Sequence, residues 1–338
     1  MDRLQLGIVG LRNQGREHLG ADGLLKYAKI AAVCDTDERE LDKALAEHGE
    51  LRVHSSVEEM LTDTRLDGLV LALPHHAYAN LWERIVARKL PILKEKPLGR
   101  SLSEAFWLFE TARRNGCFLQ TAIQRRSHPS YAYLKTLLAG HQIHSVMFSL
   151  HLGFDPVPDP AGWRGVPEHA GGGAVLDFGY HAIDLLLFLL DDLQLVSASL
   201  WRGDKPATAE RLESEARLIC RSGAAWVHID LRVGGEPDPE DSGRFLKKEL
   251  LTIDCDAGRI VADRSKVRVN DETVFECKRG WEQAMASQLD EFALNVLNRT
   301  YDQESVWGQI PAMKLVEQIY TGAGIVRPPE KSGKGGSR

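Results

Sequence analysis

Cysteine is scarce in this sequence: five among 338 residues, at positions 34, 117, 220, 255 and 277, odd in number and without a Cys-x-x-Cys pair. That spacing excludes a disulfide framework and a cysteine-held zinc site, and it predicts reduced thiols in strands or core. Basic clusters are missing as well. With 42 Lys and Arg against 48 Asp and Glu, the formal charge is −6 and the isoelectric point about 6.1. A nucleic-acid or anionic-membrane partner needs a concentrated basic surface, so neither is expected. No uninterrupted apolar run reaches the length of a membrane span, and the first strand pattern starts almost at Met1, which leaves no room for a signal peptide. A cytoplasmic location is the matching expectation. The adjacent His75 and His76 lack a carboxylate or cysteine to complete a ligand set, so no metal is expected.

What remains is an ordinary globular composition, 43% hydrophobic and 27% charged, in a chain long enough for two domains with separate cores. Residues 1–124 alternate strand and helix patterns. The strand candidates are Leu4–Val9, Ile30–Val33, Leu66–Leu73, Pro91–Lys94 and Phe118–Ile123. Ser56 with Glu59 and Ser101 with Glu104 have the spacing of capping boxes that start helices between them. This rhythm predicts a doubly wound parallel α/β sheet of the Rossmann type. From about residue 143 strands follow one another, as at Leu195–Trp201, Leu212–Cys220, Ala225–Val233, Glu249–Cys255 and Gly258–Ala262. They predict an α+β second domain over residues 125–327 with an open, largely antiparallel or mixed sheet. Stripes through Trp281, Met285, Leu289, Phe292 and Val296, and through Ile310, Met313, Val316 and Tyr320, predict two closing helices. Residues 328–338 read as a flexible tail, and Gly234–Gly243 as a mobile hairpin end.

The chemistry starts in Gly10-Leu11-Arg12-Asn13-Gln14-Gly15, between a short apolar strand and a helix. In a dinucleotide-binding turn the outer glycines serve the tight bend and the close helix–strand packing, and a middle glycine lets the backbone approach the pyrophosphate. Here Arg12 holds the middle place. Its stem crowds a pyrophosphate, while its guanidinium can swing out and pair with a phosphate. Asp35, 25 residues after Gly10 at the end of the second strand, stands where a carboxylate accepts from the adenosine ribose hydroxyls. It would repel a 2′-phosphate, which favours NAD over NADP, although Arg39 lies near enough to soften that preference. The alternative is that Asp35 only caps the next helix.

Several further motifs follow in order: Glu95-Lys96-Pro97 after a strand, Gln124-Arg125-Arg126 at the domain junction, and Gly171-Gly172-Gly173 followed by Asp177-x-x-x-His181. With the Rossmann start, this ordered set resembles the Gfo/Idh/MocA oxidoreductase family over nearly the whole chain. The resemblance implies that Lys96, Asp177 and His181 meet at the nicotinamide. It also implies cofactor contacts from Gly10, Arg12, Asn13, Gly15, Asp35, Leu73, Pro74, His76, Glu95, Lys96 and Gln124. Trp163-Arg164 resembles a family segment near the site. A Trp face suits the apolar side of a sugar ring and Arg binds hydroxyl or anionic groups, so Lys96, Trp163, Arg164, Asp177 and His181 form the expected substrate set. Three positions on the cofactor side depart from the family: Arg12 replaces the middle glycine, and His75 and Tyr78 stand where Asn and His are usual after the fourth strand.

Asp177 and His181 are four apart, so on a helix they share a face, and a carboxylate beside an imidazole raises its basicity. Pro97 restricts Lys96 to an extended backbone. Each residue also has a plainer reading: Lys96 as surface charge, Asp177 as a helix-start acid, His181 as a half-buried core histidine. The function implied is hydride transfer between NAD and a secondary alcohol or ketone of a sugar, cyclitol or related polyol. A nonenzymatic nucleotide- or sugar-binding sensor on the same fold is the alternative. Arg125, Arg126 and His128 could admit an anion or make structural ion pairs. The resemblance further implies a homodimer or homotetramer joined through the open face of the second sheet, near Trp226, His228 and Arg232.

Overall fold

A computed structural model describes residues 3–63, 65–154, 162–234, 247–300 and 309–325. The expected tail at 328–338 and nearly all of the loop expected at 234–243 lie outside the described residues.

The first sheet holds six parallel strands: β1 (Leu4–Val9), β2 (Ala28–Cys34), β3 (Arg52–His54), β4 (Gly68–Leu71), β5 (Ile92–Glu95) and β6 (Leu119–Ala122). They lie in the order β3-β2-β1-β4-β5-β6, so strand order reverses between β1 and β4. In an open α/β sheet that reversal opens a crevice beyond the carboxyl ends of the strands, where a dinucleotide binds. The doubly wound fold expected from the strand–helix rhythm is the one observed. β3 is the strand that the sequence did not reveal. It is three residues long and only His54 is buried, so it leaves no apolar run to read.

Both faces of this sheet are covered. On one, Val9, Leu69, Leu71 and Ile92 pack with α3 (Val57–Asp63), α4 (Tyr78–Ala87) and α5 (Leu102–Arg114). On the other, Leu6, Ile8, Val33 and Leu93 meet α1 (Gln14–Gly20), α2 (Glu38–His48) and a helix from far downstream, α9 (Gly280–Asn298). The stripe Met285, Leu289 and Phe292 of α9 is fully buried there. The serines expected to cap helices do so: Glu59 N donates to Ser56 Oγ (3.2 Å) and Glu104 N to Ser101 Oγ (3.1 Å). The Glu104 carboxylate turns back to Arg100, accepting from its backbone N at 2.6 Å and from its guanidinium.

The second sheet has nine strands, β7 (Ile143–Leu152), β8 (Gln194–Arg202), β9 (Lys205–Pro206), β10 (Glu215–Ser222), β11 (Ala225–Val233), β12 (Lys247–Cys255), β13 (Gly258–Ala262), β14 (Lys266–Val269) and β15 (Glu272–Glu276). Their order is β15-β14-β13-β12-β7-β11-β10-β8-β9; only β7 and β11 pair in parallel, so the sheet is mixed and mostly antiparallel. Its inner face, including Val146, Phe148, Ile229 and Leu231, packs on α6 (Pro129–Leu138), α8 (Tyr180–Leu190) and α10 (Gln309–Gly322). Its outer face carries exposed Met147 (52%) and Trp226 (44%), with His151 paired to Asp230 and Arg232 to Glu215.

The stretch Pro167–Leu190 has the length of a membrane-crossing segment and a mean hydropathy of 1.6 over its most apolar 18 residues, but Asp177, His181 and Asp184 interrupt it. It contains α7 (Pro167–Ala170) and α8 broken by Gly171 in a left-handed conformation, and 78% of its most apolar window is buried as the central helix of the second layer. All five cysteines are free.

The two junction arginines make structural ion pairs. Arg125 and Glu249, 1% and 7% exposed, form a two-pronged pair at 2.9 and 2.6 Å, with Tyr131 Oη donating to the same carboxylate. Removing one member of such a pair costs about 3–5 kcal/mol, because the other charge is left buried. Arg126 holds the buried Asp184 at 3.0 and 2.6 Å, and His128 caps α6 by accepting from Ser130 N.

Candidate active site

A cleft of about 460 Å³ runs along the carboxyl ends of β1, β2, β4 and β5 and ends against the segment before α8. That volume lies within the usual range for small-molecule and cofactor sites. Of the residues expected to hold a cofactor, Gly10, Arg12, Asn13, Asp35, Leu73, Pro74, Glu95 and Lys96 line it, and of the expected substrate set Trp163, Arg164 and Asp177 do so too.

The glycine turn is shaped by its backbone. Gly10 has φ +90°, and a Cβ there would collide with the carbonyl oxygen of Ala72. A Cβ on Gly15 would collide with the carbonyl oxygen of Gly10. These are the bend and the close approach that glycine alone permits. Arg12 is no obstruction in this arrangement: its side chain is 70% exposed and Nη2 reaches Asp37 Oδ2 at 2.9 Å.

Asp35 ties two strand ends together, accepting from Leu11 N at 2.7 Å through one oxygen and from Asp37 N at 3.0 Å through the other. Capping of α2 falls to Asp37, which accepts from Arg39 N. Hydrogen bonds from Arg39 and then Arg12 hold the Asp37 carboxyl well below the usual range. A cradle whose glycines leave no room for a side chain, with a carboxylate at the end of β2, fits a dinucleotide.

The opposite end is built from buried charge. Lys96 follows β5 and donates from Nζ to the Asp177 carbonyl (2.7 Å) and to Asp177 Oδ1 (3.0 Å). Arg164 Nε takes the other Asp177 oxygen at 2.5 Å and stacks its guanidinium 4.3 Å from the Trp163 ring. Burial alone would raise the Asp177 pKa, but the charges of Lys96 and Arg164 outweigh it and hold the carboxyl well below the usual range. Asp177 therefore stays ionised whenever the protein is folded near neutrality.

The expected α-helical spacing around Asp177 is altered. Val175–Gly179 forms a π turn that runs directly into α8, a local widening that recurs at functional sites. Its start is pinned by buried Glu213, which accepts from Gly173 N (3.1 Å), Val175 N (2.9 Å) and Tyr320 Oη (2.7 Å). A Cβ on Gly172 or Gly173 would strike Tyr320 or the Glu213 backbone, so the glycine run lets the helix nest there. His181, 8% exposed, comes four residues after Asp177 and is not among the cleft-lining residues described. The partners of the Asp177 oxygens shown are Lys96 and Arg164, where the spacing had suggested His181.

Gly15, His76 and Gln124 also lie off the described lining. Gly15 packs under the turn, Gln124 approaches Gln14 at 3.5 Å, and His76 stacks on His169 at 4.1 Å, facing a second pocket.

Two histidines stood outside the expected site set. His75, a departure from the family pattern, lines the cleft with its ring 4.4 Å from Trp163 and its Nδ1 bonded to the Ala170 carbonyl at 2.9 Å. A carbonyl only accepts, so Nδ1 carries the hydrogen and Nε2 the lone pair. Burial pushes the His75 pKa down to about 3, so near neutrality it is an uncharged acceptor. His18 on α1, 77 residues before Glu95, holds that buried carboxylate at 2.8 Å. Two adjacent histidines after a strand could have signalled the first; nothing in the local sequence signals the second.

Comparison with known proteins follows this geometry. A model described as oxidoreductase family, NAD-binding Rossmann fold, matches residues 4–123, and the GFO/IDH/MocA C-terminal domain model matches residues 131–233. Inositol 2-dehydrogenase 2 of Saccharopolyspora erythraea is 28% identical over 68% of this chain and 66% of its own length. Among the curated relatives compared, the matched stretches span 48–67% of their lengths. An oxidoreductase from Agrobacterium radiobacter, solved with NAD+, L-tartaric acid and magnesium, superposes with a TM-score of 0.76 at 20% identity, covering 96% of this chain and 97% of that one. KijD10, a 3-ketoreductase from Actinomadura kijaniata solved with NADP, gives 0.76 at 19% identity, covering 97% and 100%. At these identities the structural likeness bears on the fold.

Proposed function

The chain belongs to the GFO/IDH/MocA family of oxidoreductases, and from that premise we propose that it is an NAD-dependent dehydrogenase or reductase. Its substrate in this reading is a secondary alcohol or ketone of a sugar, cyclitol or related polyol. The observation that carries the reading is Lys96, partly buried at the far end of a dinucleotide-sized cleft and fixed by two bonds to Asp177.

Gly10, Asn13 and Asp35, with the backbone of Arg12, would hold the adenosine and pyrophosphate part, and Leu73, Pro74, Glu95 and Lys96 the nicotinamide part. A nicotinamide bound there supplies the hydride acceptor or, in the reverse direction, the donor. Lys96 spends two of its three N–H groups on Asp177, and the third is available to the reacting oxygen, where the ammonium stabilises negative charge. His181, whose role comes from the family resemblance and which stands outside the described cleft lining, would take the hydroxyl proton during oxidation and return it during reduction. His75 is unsuited to that task, since a base with a pKa near 3 stays unprotonated near neutrality. Trp163 offers an apolar face to a sugar ring, and Arg164 steadies both that ring system and Asp177. NAD is favoured over NADP by the Asp35 carboxylate.

The exposed outer face of the second sheet, with Met147 and Trp226, supports pairing with another copy as a homodimer or homotetramer. A monomeric mass in solution would contradict that part.

The test is a screen of cyclitols, sugars and their keto forms for NADH formation or consumption. Lys96→Met and His181→Ala are each expected to lower turnover by about 10²–10⁴-fold while NADH affinity changes little. Turnover unchanged in both variants would reject the assignment, and a protein that binds NADH and sugars without any turnover would favour a sensor.

A further inference from the structure

Lys94 takes no part in the scheme above, yet it is buried to 2% exposure two residues before Lys96. Among the described residues it is the only lysine so enclosed. Strand alternation separates the neighbours: Glu95 meets His18 on α1, while Lys94 points to the opposite face of the sheet, over Tyr78 of α4. An ammonium has three N–H groups. Here one donates to the Glu95 carbonyl at 3.0 Å and another to the Pro97 carbonyl at 2.7 Å, and the ammonium lies 4.0 Å from the centre of the Tyr78 ring. The two carbonyls are those immediately before and after Lys96.

Tyr78 extends the connection. Its hydroxyl donates to the Leu71 carbonyl at 3.0 Å and accepts from Leu73 N at 3.3 Å. Leu71 ends β4, and the residues that follow, Leu73 to His75, form the cleft wall facing Lys96. The Lys94–Tyr78 pair thus joins the two strand ends between which the reacting groups sit.

We propose that Lys94 is a positioning residue: it clamps the carbonyls on both sides of Lys96, and Tyr78 ties that clamp to the opposite wall of the cleft. An apolar side chain of similar volume would fill the space and leave two buried carbonyls without this donor. Burying the amine disfavours its charge: desolvation brings the Lys94 pKa down to about 7, with Glu104 and Glu95 opposing the fall. Charged or neutral, the amine has the N–H groups for both bonds, and those bonds fix backbone that a cleft-lining lysine depends on.

The role in turnover rests on the proposed function; the clamp itself does not. Lys94→Met in the full chain should lower kcat about 10- to 100-fold while KM for NAD stays nearly constant. Independently of activity, acylation of Lys96 by a lysine-reactive ester, followed by peptide mass spectrometry, should rise several-fold, with labelling of the exposed Lys43 unchanged. Lys94→Gln, which keeps amide donors, should recover part of both effects and serves as the readout if the Met variant does not fold. Wild-type labelling kinetics at Lys96 in either folded variant, or a fall in kcat without faster Lys96 labelling, would overturn the proposal. If the wild type itself shows no hydride transfer, the function fails, while the labelling result still decides the clamp.

Discussion

At the nucleotide end of the cleft the shape is set by backbone, through a left-handed Gly10 and a Gly15 pressed against the Gly10 carbonyl. At the reacting end it is set by side chains: Lys96, Asp177 and Arg164 interlock while mostly buried. The contrast explains which departures from a motif matter. Arg12, in place of a glycine, sends its side chain to solvent and pairs with Asp37, because the bend does not depend on that position. Asp177 has no such latitude. Its two oxygens and its carbonyl each hold a neighbour, and its charge is kept only because two cations outweigh its burial.

The comparison can be broken most forcefully at Gly15. Gly15→Ala places a methyl group inside the Gly10 carbonyl and should cost about 1–3 kcal/mol of stability, with NADH binding weakened more than about tenfold. Chemical denaturation and a binding titration read the two effects, and native values in both would mean that the turn is not held by close approach.

His75 sharpens the reacting end. Its folded pKa, about 3, lies below the ordinary histidine value of about 6.5. The unfolded chain therefore binds the proton first as pH falls, and stability is lost from about pH 6.5 toward 3. His75→Gln should flatten that decline in a denaturation series. Some slope remains, because burial lowers His128 to about 4 and so adds a decline of the same sign. An unchanged slope would show that the His75 ring is not enclosed as described.

The smallest effect belongs to Arg12→Gly. Since the Arg12 side chain is turned out to an exposed ion pair with Asp37, NADH affinity should change less than about threefold. A large loss would recast Arg12 as a phosphate clamp, and a large gain would recast it as an obstruction.

Much of this architecture was legible in the chain. Apolar runs marked β1, β2, β4, β5 and β6, and strict alternation marked β11 with its boundaries intact. The hairpin of β14 and β15 passed unnoticed, since its strands are short and β15 is largely exposed. Its signal lay in the turn: Asn270 and Asp271, with φ of 48° and 69°, are the kind of pair a two-residue hairpin loop favours. At the site, the family resemblance of the ordered motifs pointed to Lys96, Asp177, Trp163 and Arg164. Three-dimensional partners did not show: the π turn under Asp177, the Glu213–Tyr320 latch and the His18–Glu95 contact all join segments distant in sequence or depend on helix geometry that the apolar stripe does not encode.

Calorimetric titration of the purified, cofactor-stripped protein with NADH and with NADPH tests most directly whether a backbone-built cradle works with Arg12 in its middle. The cleft described here predicts saturable NADH binding, and weaker NADPH binding because the Asp35 carboxylate opposes a 2′-phosphate. Folded, empty protein that binds neither nucleotide would contradict it and leave the buried charges at the far end without a cofactor to serve.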